Sequence, residues 1–236
     1  MDKTYNETRY ARQTMLPEIG TEGQARLNRA SVLIVGVGGL GSAAATYLTG
    51  AGTGTIGLAD NDIVELSNLQ RQTLYSEAQI GMPKAEAARE RLSQMSSETN
   101  FRIYPSGITA ENATGIIAGY DVVVDCCDNF ATRYLLDDVC SRLDKPWVYG
   151  SIGEFHGQLS VFGHKSRRRY TELYPDRTQL LAIPRQKSGV IGAVPGFIGC
   201  LQAAETIKII TGFGVVSEGR LFTIDMRDMS TGLIEF

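Results

Sequence analysis

The chain has 236 residues, 43% of them hydrophobic, which is enough for a buried core and for one to two domains of ordinary size. Its 23 basic and 26 acidic residues leave a net charge of −3, which argues against binding nucleic acid or a membrane surface by bulk electrostatics. The four cysteines, Cys126, Cys127, Cys140 and Cys200, form no Cys-x-x-Cys pair, which excludes a disulfide scaffold and a Cys₄ zinc ribbon. No run approaches the roughly 20 apolar residues of a membrane span, and the polar stretch Met1–Arg12 has no signal-peptide core. One domain over 1–236, in a reducing, cytoplasmic setting, is the expectation.

Residues 1–20 begin as a charged arm, and Thr21–Leu27 reads as a short helix. Ser31–Gly36 is a continuous β-branched and apolar run, the pattern of a strand buried on both faces. A small-residue helix over Leu40–Ala51 and a strand over Thr55–Ala59 follow. Pro83 opens a helix that continues over Lys84–Met95. Phe101–Tyr104 is a strand, Thr109–Gly119 a short helix, Asp121–Cys127 a strand, Ala131–Leu143 a helix and Pro146–Tyr149 a strand. This alternation predicts an α/β fold with a Rossmann-like, mostly parallel sheet. After Gly153 the pattern changes. Gly157–Phe162 follows a short turn and is expected to run antiparallel, as are the final strands Arg220–Met226 and Gly232–Phe236. Between them lies a helix over Phe197–Thr211, stopped by Gly212. Residues 165–188 lack a clear period and carry seven basic against two acidic residues, a local charge of +5, and read as a mobile loop.

Gly36-Val37-Gly38-Gly39-Leu40-Gly41 fits G-x-G-x-x-G and lies between a predicted strand and a predicted helix. Glycines allow a tight turn and close backbone approach, and a helix N-terminus offers free N–H groups to phosphate. Asp60 ends the next strand 19 residues after Gly41, where an acid accepts hydrogen bonds from ribose. The combination predicts nucleotide binding but does not separate NAD(P), FAD, S-adenosylmethionine and ATP.

The following turn, from Asp60 and Asp62 through Ser67, Asn68, Arg71 and Gln72, is densely polar, and Lys84 starts a helix where the dipole disfavours a cation. Arg71 and Lys84 suit a triphosphate, one as a fork and one as a point charge. At the end of the fourth strand, Asp128 is either a Mg²⁺ ligand or, like Asn129, a helix N-cap. Cys126 and Cys127 read as small core residues.

These residues carry a family resemblance. Arg9-Tyr10-Ala11-Arg12-Gln13, the glycine loop, Leu66–Gln72, Gly81-x-Pro83-Lys84, Asp128-Asn129 with Thr132-Arg133, and Gly189-Val190-x-Gly192 together resemble the ThiF/MoeB/HesA family, bacterial relatives of ubiquitin-activating enzymes, from Arg9 to about Asp225. The resemblance, nearest to ThiF, implies adenylation of the C-terminal glycine of a small ubiquitin-like sulfur carrier ending in Gly-Gly, with release of pyrophosphate. It implies a nucleotide site built from Gly36, Gly38, Gly39, Gly41, Asp60, Asp62, Ser67, Asn68, Arg71, Gln72, Lys84, Asp128 and Asn129. Asp60 would bind ribose, Arg71 and Lys84 the phosphates of ATP, and Asp128 the Mg²⁺. Arg12 would reach across a homodimer into the partner's site. A ThiS-like carrier, leading to the thiamine thiazole, is the expectation. A MoaD-like carrier of molybdopterin synthesis is the alternative, and an NAD(P)- or FAD-dependent oxidoreductase is the alternative of another class. His156 and His164 receive no role.

Two departures from the family pattern follow. Where relatives carry the first Cys-x-x-Cys pair of a zinc site, this chain has Arg169 and Glu172, and the second pair would lie beyond Phe236, so no zinc is expected. Where some relatives carry a cysteine before Gly189-Val190, this chain has Arg185, so adenylation without a covalent cysteine step is expected. The basic loop is expected to receive the acidic carrier.

Overall fold

In the computed structural model, which describes residues 8–184 and 189–236, one eight-stranded sheet carries the chain in the order β3-β2-β1-β4-β5-β6-β7-β8. The strands are β1 (Ser31–Val35), β2 (Thr55–Ala59), β3 (Asn100–Tyr104), β4 (Val122–Asp125), β5 (Trp147–Gly153), β6 (His156–Phe162), β7 (Arg220–Asp225) and β8 (Ser230–Glu235). Strands β1 to β5 pair in parallel, and β6, β7 and β8 add on antiparallel; β5–β6 and β7–β8 are hairpins, while a long connection with helices joins β6 to β7. The fold is therefore α/β and Rossmann-like, as the alternation of elements predicts.

Side chains alternate across β1, and both faces are covered. Val32 and Ile34 pack with Ile56, Leu58 and Val124 against α3 (Gly39–Gly50), α4 (Lys84–Met95) and the long α9 (Ala193–Thr211). Leu33 and Val35 pack with Val123 against α5 (Ala113–Ile117) and α6 (Phe130–Leu143). An aromatic group of Trp147, Tyr149, Phe162 and Tyr170 extends this second layer. Strand β1 lies between β2 and β4, so the chain leaves the sheet in opposite directions after β1 and after β4. The crevice between these two exits is where open α/β sheets place ligands.

Several expected boundaries shift. Strand β4 ends at Asp125, yet Cys126 and Cys127 stay buried in the turn beyond it. Pro83 is the N-cap of α4, and Lys84 is its first helical residue. Helix α9 starts at Ala193, four residues before the expected Phe197, because Pro195 fits a first turn whose N–H groups need no intrahelical partner. Gly212 stops α9 in the left-handed conformation, as its sequence position suggests. By length and composition α9 does reach that of a membrane span, contrary to the sequence expectation. It packs on α3 and on the sheet, with buried Gln202, Glu205 and Thr206 along its length.

The segment over 165–184 differs most from expectation. It is not a structureless loop but folds as α7 (Tyr170–Leu173) and α8 (Arg177–Ala182) against α6. Four of its five described basic residues are paired: Arg167 with Asp144, Arg168 with Glu172, Arg169 with Asp137 and Asp138, and Arg177 with Asp138. These partners lie on α6, just after it, and within the segment itself. Arg185 and Lys187 lie outside the described residues, as do Asp2, Lys3 and Glu7 of the arm. The remainder of the arm is anchored. Arg9 donates to the carbonyl of Met95 at 2.8 Å, and α1 (Ala11–Thr14) is tied to α2 (Gly20–Arg29) through Gln13 and Gln24.

Candidate functional site

The glycine loop has a steric reason for each of its key residues. Gly36 has φ +88°, and a Cβ there would stand 2.6 Å from the carbonyl oxygen of Cys126 in the β4–α6 turn. A Cβ on Gly41 would stand 2.1 Å from the Gly36 carbonyl oxygen, and one on Gly39 2.9 Å from Pro195 of α9. Gly38 is the N-cap of α3. The first turn of α3 therefore sits close to β1, and its N–H groups, without intrahelical acceptors, open into the crevice.

Asp60 holds this loop. Its Oδ2 accepts from the Val37 N–H at 2.7 Å and its Oδ1 from the Asp62 N–H at 2.9 Å. Burial pushes the Asp60 carboxyl above its usual range, an effect opposed by those two amides and by Lys84. Its structural duty was not legible from spacing, and a ribose hydroxyl would use the lone pairs that remain.

From Asp62 the chain runs to a 3₁₀ turn over Leu66–Asn68. The amide of Asn68 is largely spent on that turn: Oδ1 accepts from the Glu65 N–H at 3.2 Å. Ser67 is exposed, and Arg71, half-buried, donates to the Ser67 carbonyl at 3.1 Å. Gln72 is 4% exposed, and its Oε1 accepts no hydrogen bond from the described residues. Its Nε2 lies 3.5 Å from where a Gly38 Cβ would stand, so a buried amide whose Oε1 lacks a partner among the described residues faces the glycine loop. Lys84, 5% exposed, places Nζ 2.9 Å from Asp62 Oδ2. It is not a solvated residue of a first turn but a desolvated ammonium fixed at the rim of the crevice.

Across the crevice, the turn after β4 is built on a buried pair. Arg133 of α6 lies with Nε 3.4 Å from Asp125 Oδ2 and donates through Nη2 to the Cys127 carbonyl at 3.0 Å. Its guanidinium stacks over Tyr149 at 5.2 Å. Arg133 and Asp125 thus set the path of the backbone into Asp128, a duty no sequence spacing indicates. Asn129 resolves as the cap: its side chain accepts from the Thr132 N–H at 2.9 Å. Asp128, just before it, is exposed. An exposed carboxylate at the crevice suits Mg²⁺ carried in with phosphates. Burial, chiefly, pushes the thiols of Cys126 and Cys127 well above their usual range, which keeps them protonated and poor nucleophiles.

Arg12 is not part of this crevice. It sits exposed on α1 next to Gln13, whose Nε2 donates to the Ala51 carbonyl at the C-terminal end of α3 at 3.2 Å. The 12 residues of α3 put the glycine loop about 18 Å away at the other end. Arg169 and Glu172 are likewise absorbed elsewhere: Arg169 binds the buried carboxylate of Asp137 at 2.8 Å, and Glu172 caps α7 by accepting from the Arg169 N–H.

A mostly parallel sheet with a glycine turn, an acid after β2 and a crevice at the strand-order reversal defines a Rossmann-like α/β protein. Within that class the chain belongs to the ThiF family, whose profile matches residues 10–235. A protein of Culex quinquefasciatus named adenylyltransferase and sulfurtransferase MOCS3 is 48% identical over 223 residues, 94% of this chain and 51% of that protein. The MOCS3 protein of Drosophila ananassae is 49% identical over 218 residues, 92% of this chain and 48% of that protein. The chain thus spans about half the length of these relatives. Among solved structures, Escherichia coli MccB with ATP superposes with a TM-score of 0.84 at 24% identity, over 100% of this chain and 73% of that one. PaaA does so with 0.84 at 19% identity, over 100% and 74%. At such identities the likeness is one of fold.

Proposed function

We propose that this chain is an ATP-dependent adenylyltransferase that activates the C-terminal carboxylate of a small ubiquitin-like sulfur carrier ending in Gly-Gly. The observation that carries the reading is the buried Lys84 ammonium, held by Asp62 next to a glycine loop that Asp60 clamps. The adenylyltransferase name of the MOCS3 relatives supports it. These relatives favour a MoaD-type carrier over the ThiS-type that the sequence first suggests. An oxidoreductase would leave Arg71 and the costly burial of Lys84 without a purpose.

In the reaction, a carboxylate oxygen of the carrier attacks the α-phosphorus of ATP. The bond to the bridging oxygen breaks, and pyrophosphate leaves with its electron pair. The incoming carboxylate is already a nucleophile, so no serine or cysteine is needed. The work of the protein is positioning and charge neutralisation. The N–H groups at the start of α3 would bind phosphate oxygens, and Arg71 and Lys84 would take up charge as pyrophosphate departs. Mg²⁺, held by Asp128 and the phosphates, would supply further charge neutralisation.

A homodimer accounts for two further features. Arg12 is remote from its own crevice, and the large apolar side chains Met15 and Leu16 after α1, Tyr47 on α3 and Phe197 on α9 are left exposed. A partner that covers them and brings its own arm would place its Arg12 at the crevice.

The test is exchange of labelled pyrophosphate into ATP with purified MoaD-type and ThiS-type carriers. Exchange that depends on the MoaD-type carrier supports the reading, and exchange with the ThiS-type alone moves it to the other pathway. No exchange with either, or binding of NAD in place of ATP, overturns it.

A further inference from the structure

Tyr75 lies between the 3₁₀ turns Leu66–Asn68 and Glu77–Gln79, in a stretch that composition marks as a polar connection. Yet it is buried, and its ring belongs to the same core as Val37, Val64, Leu74, Ala87 and Ala88. Its hydroxyl donates to the Val37 carbonyl at 2.6 Å and has the Lys84 carbonyl as a second neighbour at 3.4 Å. Burial pushes the phenol well above its usual range, so the hydroxyl stays protonated and remains a donor. On the other side of the same residue, the Val37 N–H is taken by Asp60.

The geometry of a trans peptide gives this contact a consequence. The C=O and N–H of one peptide group point in opposite directions. Tyr75 draws the Val37 carbonyl into the core, so the N–H of Gly38, in the same peptide, points the opposite way. No hydrogen bond among the described residues takes that N–H. Gly38 is the N-cap of α3, beside the buried side-chain amide of Gln72. A second loop closes behind it. Lys84 donates to Asp62 through its backbone N–H at 2.9 Å and through Nζ at 2.9 Å, and the Asp62 N–H returns to Asp60. Glycine loop, Tyr75, Lys84, Asp62 and Asp60 form one ring of hydrogen bonds around the rim of the crevice.

We propose that Tyr75 is a positioning residue: its hydroxyl orients the Val37–Gly38 peptide so that the Gly38 N–H faces the phosphates of bound nucleotide, and it ties that orientation to Lys84. The proposal rests on the adenylation reading and adds the group that sets its phosphate donor. It separates phosphate from nucleoside recognition. A hydroxyl that only filled the core would affect both alike, whereas one that aims a phosphate donor affects ATP and spares adenosine.

The experiment measures Kd for ATP and for adenosine by calorimetry, in the wild-type chain and in Tyr75→Phe, without any carrier. The ring and its packing remain and only the hydroxyl is lost. The expected result is about tenfold weaker ATP binding, with adenosine binding changed by less than about twofold. Unchanged ATP affinity, or an equal loss for ATP and adenosine, overturns the role of Tyr75 and leaves the adenylation reading standing. A wild-type chain that binds neither ligand overturns both. Should Tyr75→Phe not fold, the wild-type chain with ¹⁵N-glycine decides the matter. The Gly38 amide resonance is expected to move with ATP and not with adenosine, and a Gly38 amide indifferent to ATP overturns the proposal.

Discussion

The ammonium of Lys84 and the carboxylate of Asp62 meet at 2.9 Å, but the two partners live in different environments: the Lys84 side chain is 6% exposed and that of Asp62 63%. The exposed acid is solvated either way, while the buried cation depends on it. Asp62→Ala is therefore expected to destabilise the ligand-free protein by about 1–3 kcal/mol, the cost of an unpaired buried charge tempered by the water near Asp62. ATP offers a replacement anion, so saturating ATP should raise the unfolding midpoint of Asp62→Ala more than that of the parent. Urea denaturation with and without ATP checks both points, and an equal ATP effect on the two proteins would separate Lys84 from the phosphates.

The Arg169–Asp137 contact makes a second prediction. Asp137 is 1% exposed and accepts from Arg169 and from the Tyr170 N–H at 2.9 Å. Arg169→Ala leaves that carboxylate with one backbone donor. A loss of about 1–3 kcal/mol is expected, discounted because the guanidinium is partly exposed. Hydrogen exchange should then report opening confined to α7 and α8. If the segment serves only to pack on α6, the pyrophosphate exchange rate per folded molecule should hold; a fall in that rate would give the segment a part in receiving the carrier.

How much of this was legible beforehand depends on how local the cause is. The strands β1 and β4 are short apolar runs, and the positive φ of Gly36 and the clash that a Cβ on Gly41 would make with Gly36 are local, so fold and loop could be read in order. Asn129 and Asp128 stood equal on spacing, because a cap and a metal ligand use the same residue types at the same place; only the bond from the Thr132 N–H separates them. Residues 165–184 read as a basic loop because their counter-charges, Asp137, Asp138 and Asp144, lie 23 or more residues before the arginines they pair with. Tyr75 escaped for the same reason: the carbonyl it holds, Val37, lies 38 residues earlier. Arg133 holds the Cys127 carbonyl only six residues away, but residue type alone does not tell a buried guanidinium from a solvated one. Composition reports a residue's own chemistry and not the distant group that uses it.

Asp60 gives the pH dependence. Burial raises its folded pKa above the ordinary 3.8. A raised carboxylate stabilises the fold fully below its unfolded pKa, and that contribution is lost as pH rises through the folded value. Asp60→Asn removes the titration. The deficit of Asp60→Asn relative to the parent should therefore be largest in acid, near 3.8 and below, and shrink toward neutrality. Chemical denaturation over that range measures it, and a deficit that grows with pH would contradict the desolvated environment of Asp60.

The placement of Arg12 and Asp128 permits a test of the dimer without a structure of it. Arg12 lies beyond the far end of α3 from the glycine loop, and Asp128 stands at the crevice itself. If each site takes its arginine from the other subunit, Arg12→Ala and Asp128→Ala each damage both sites of their own homodimers. Both side chains are exposed, so each variant should keep its stability within about 0.5 kcal/mol. Pyrophosphate exchange should fall at least about a hundredfold in each, since both act on transition-state charge. A mixed dimer differs. In one site, the intact Asp128 of the Arg12→Ala subunit meets the intact Arg12 of the other, and the second site lacks both. Statistical mixing makes half of the dimers heterodimers with one good site each, so activity should return to about a quarter of the parent value. Recovery after subunit exchange, read against unmixed controls, establishes the crossing arm. Two inactive variants that stay inactive once heterodimers are demonstrated would place Arg12 and Asp128 in the same protomer's site or remove one of them from the reaction.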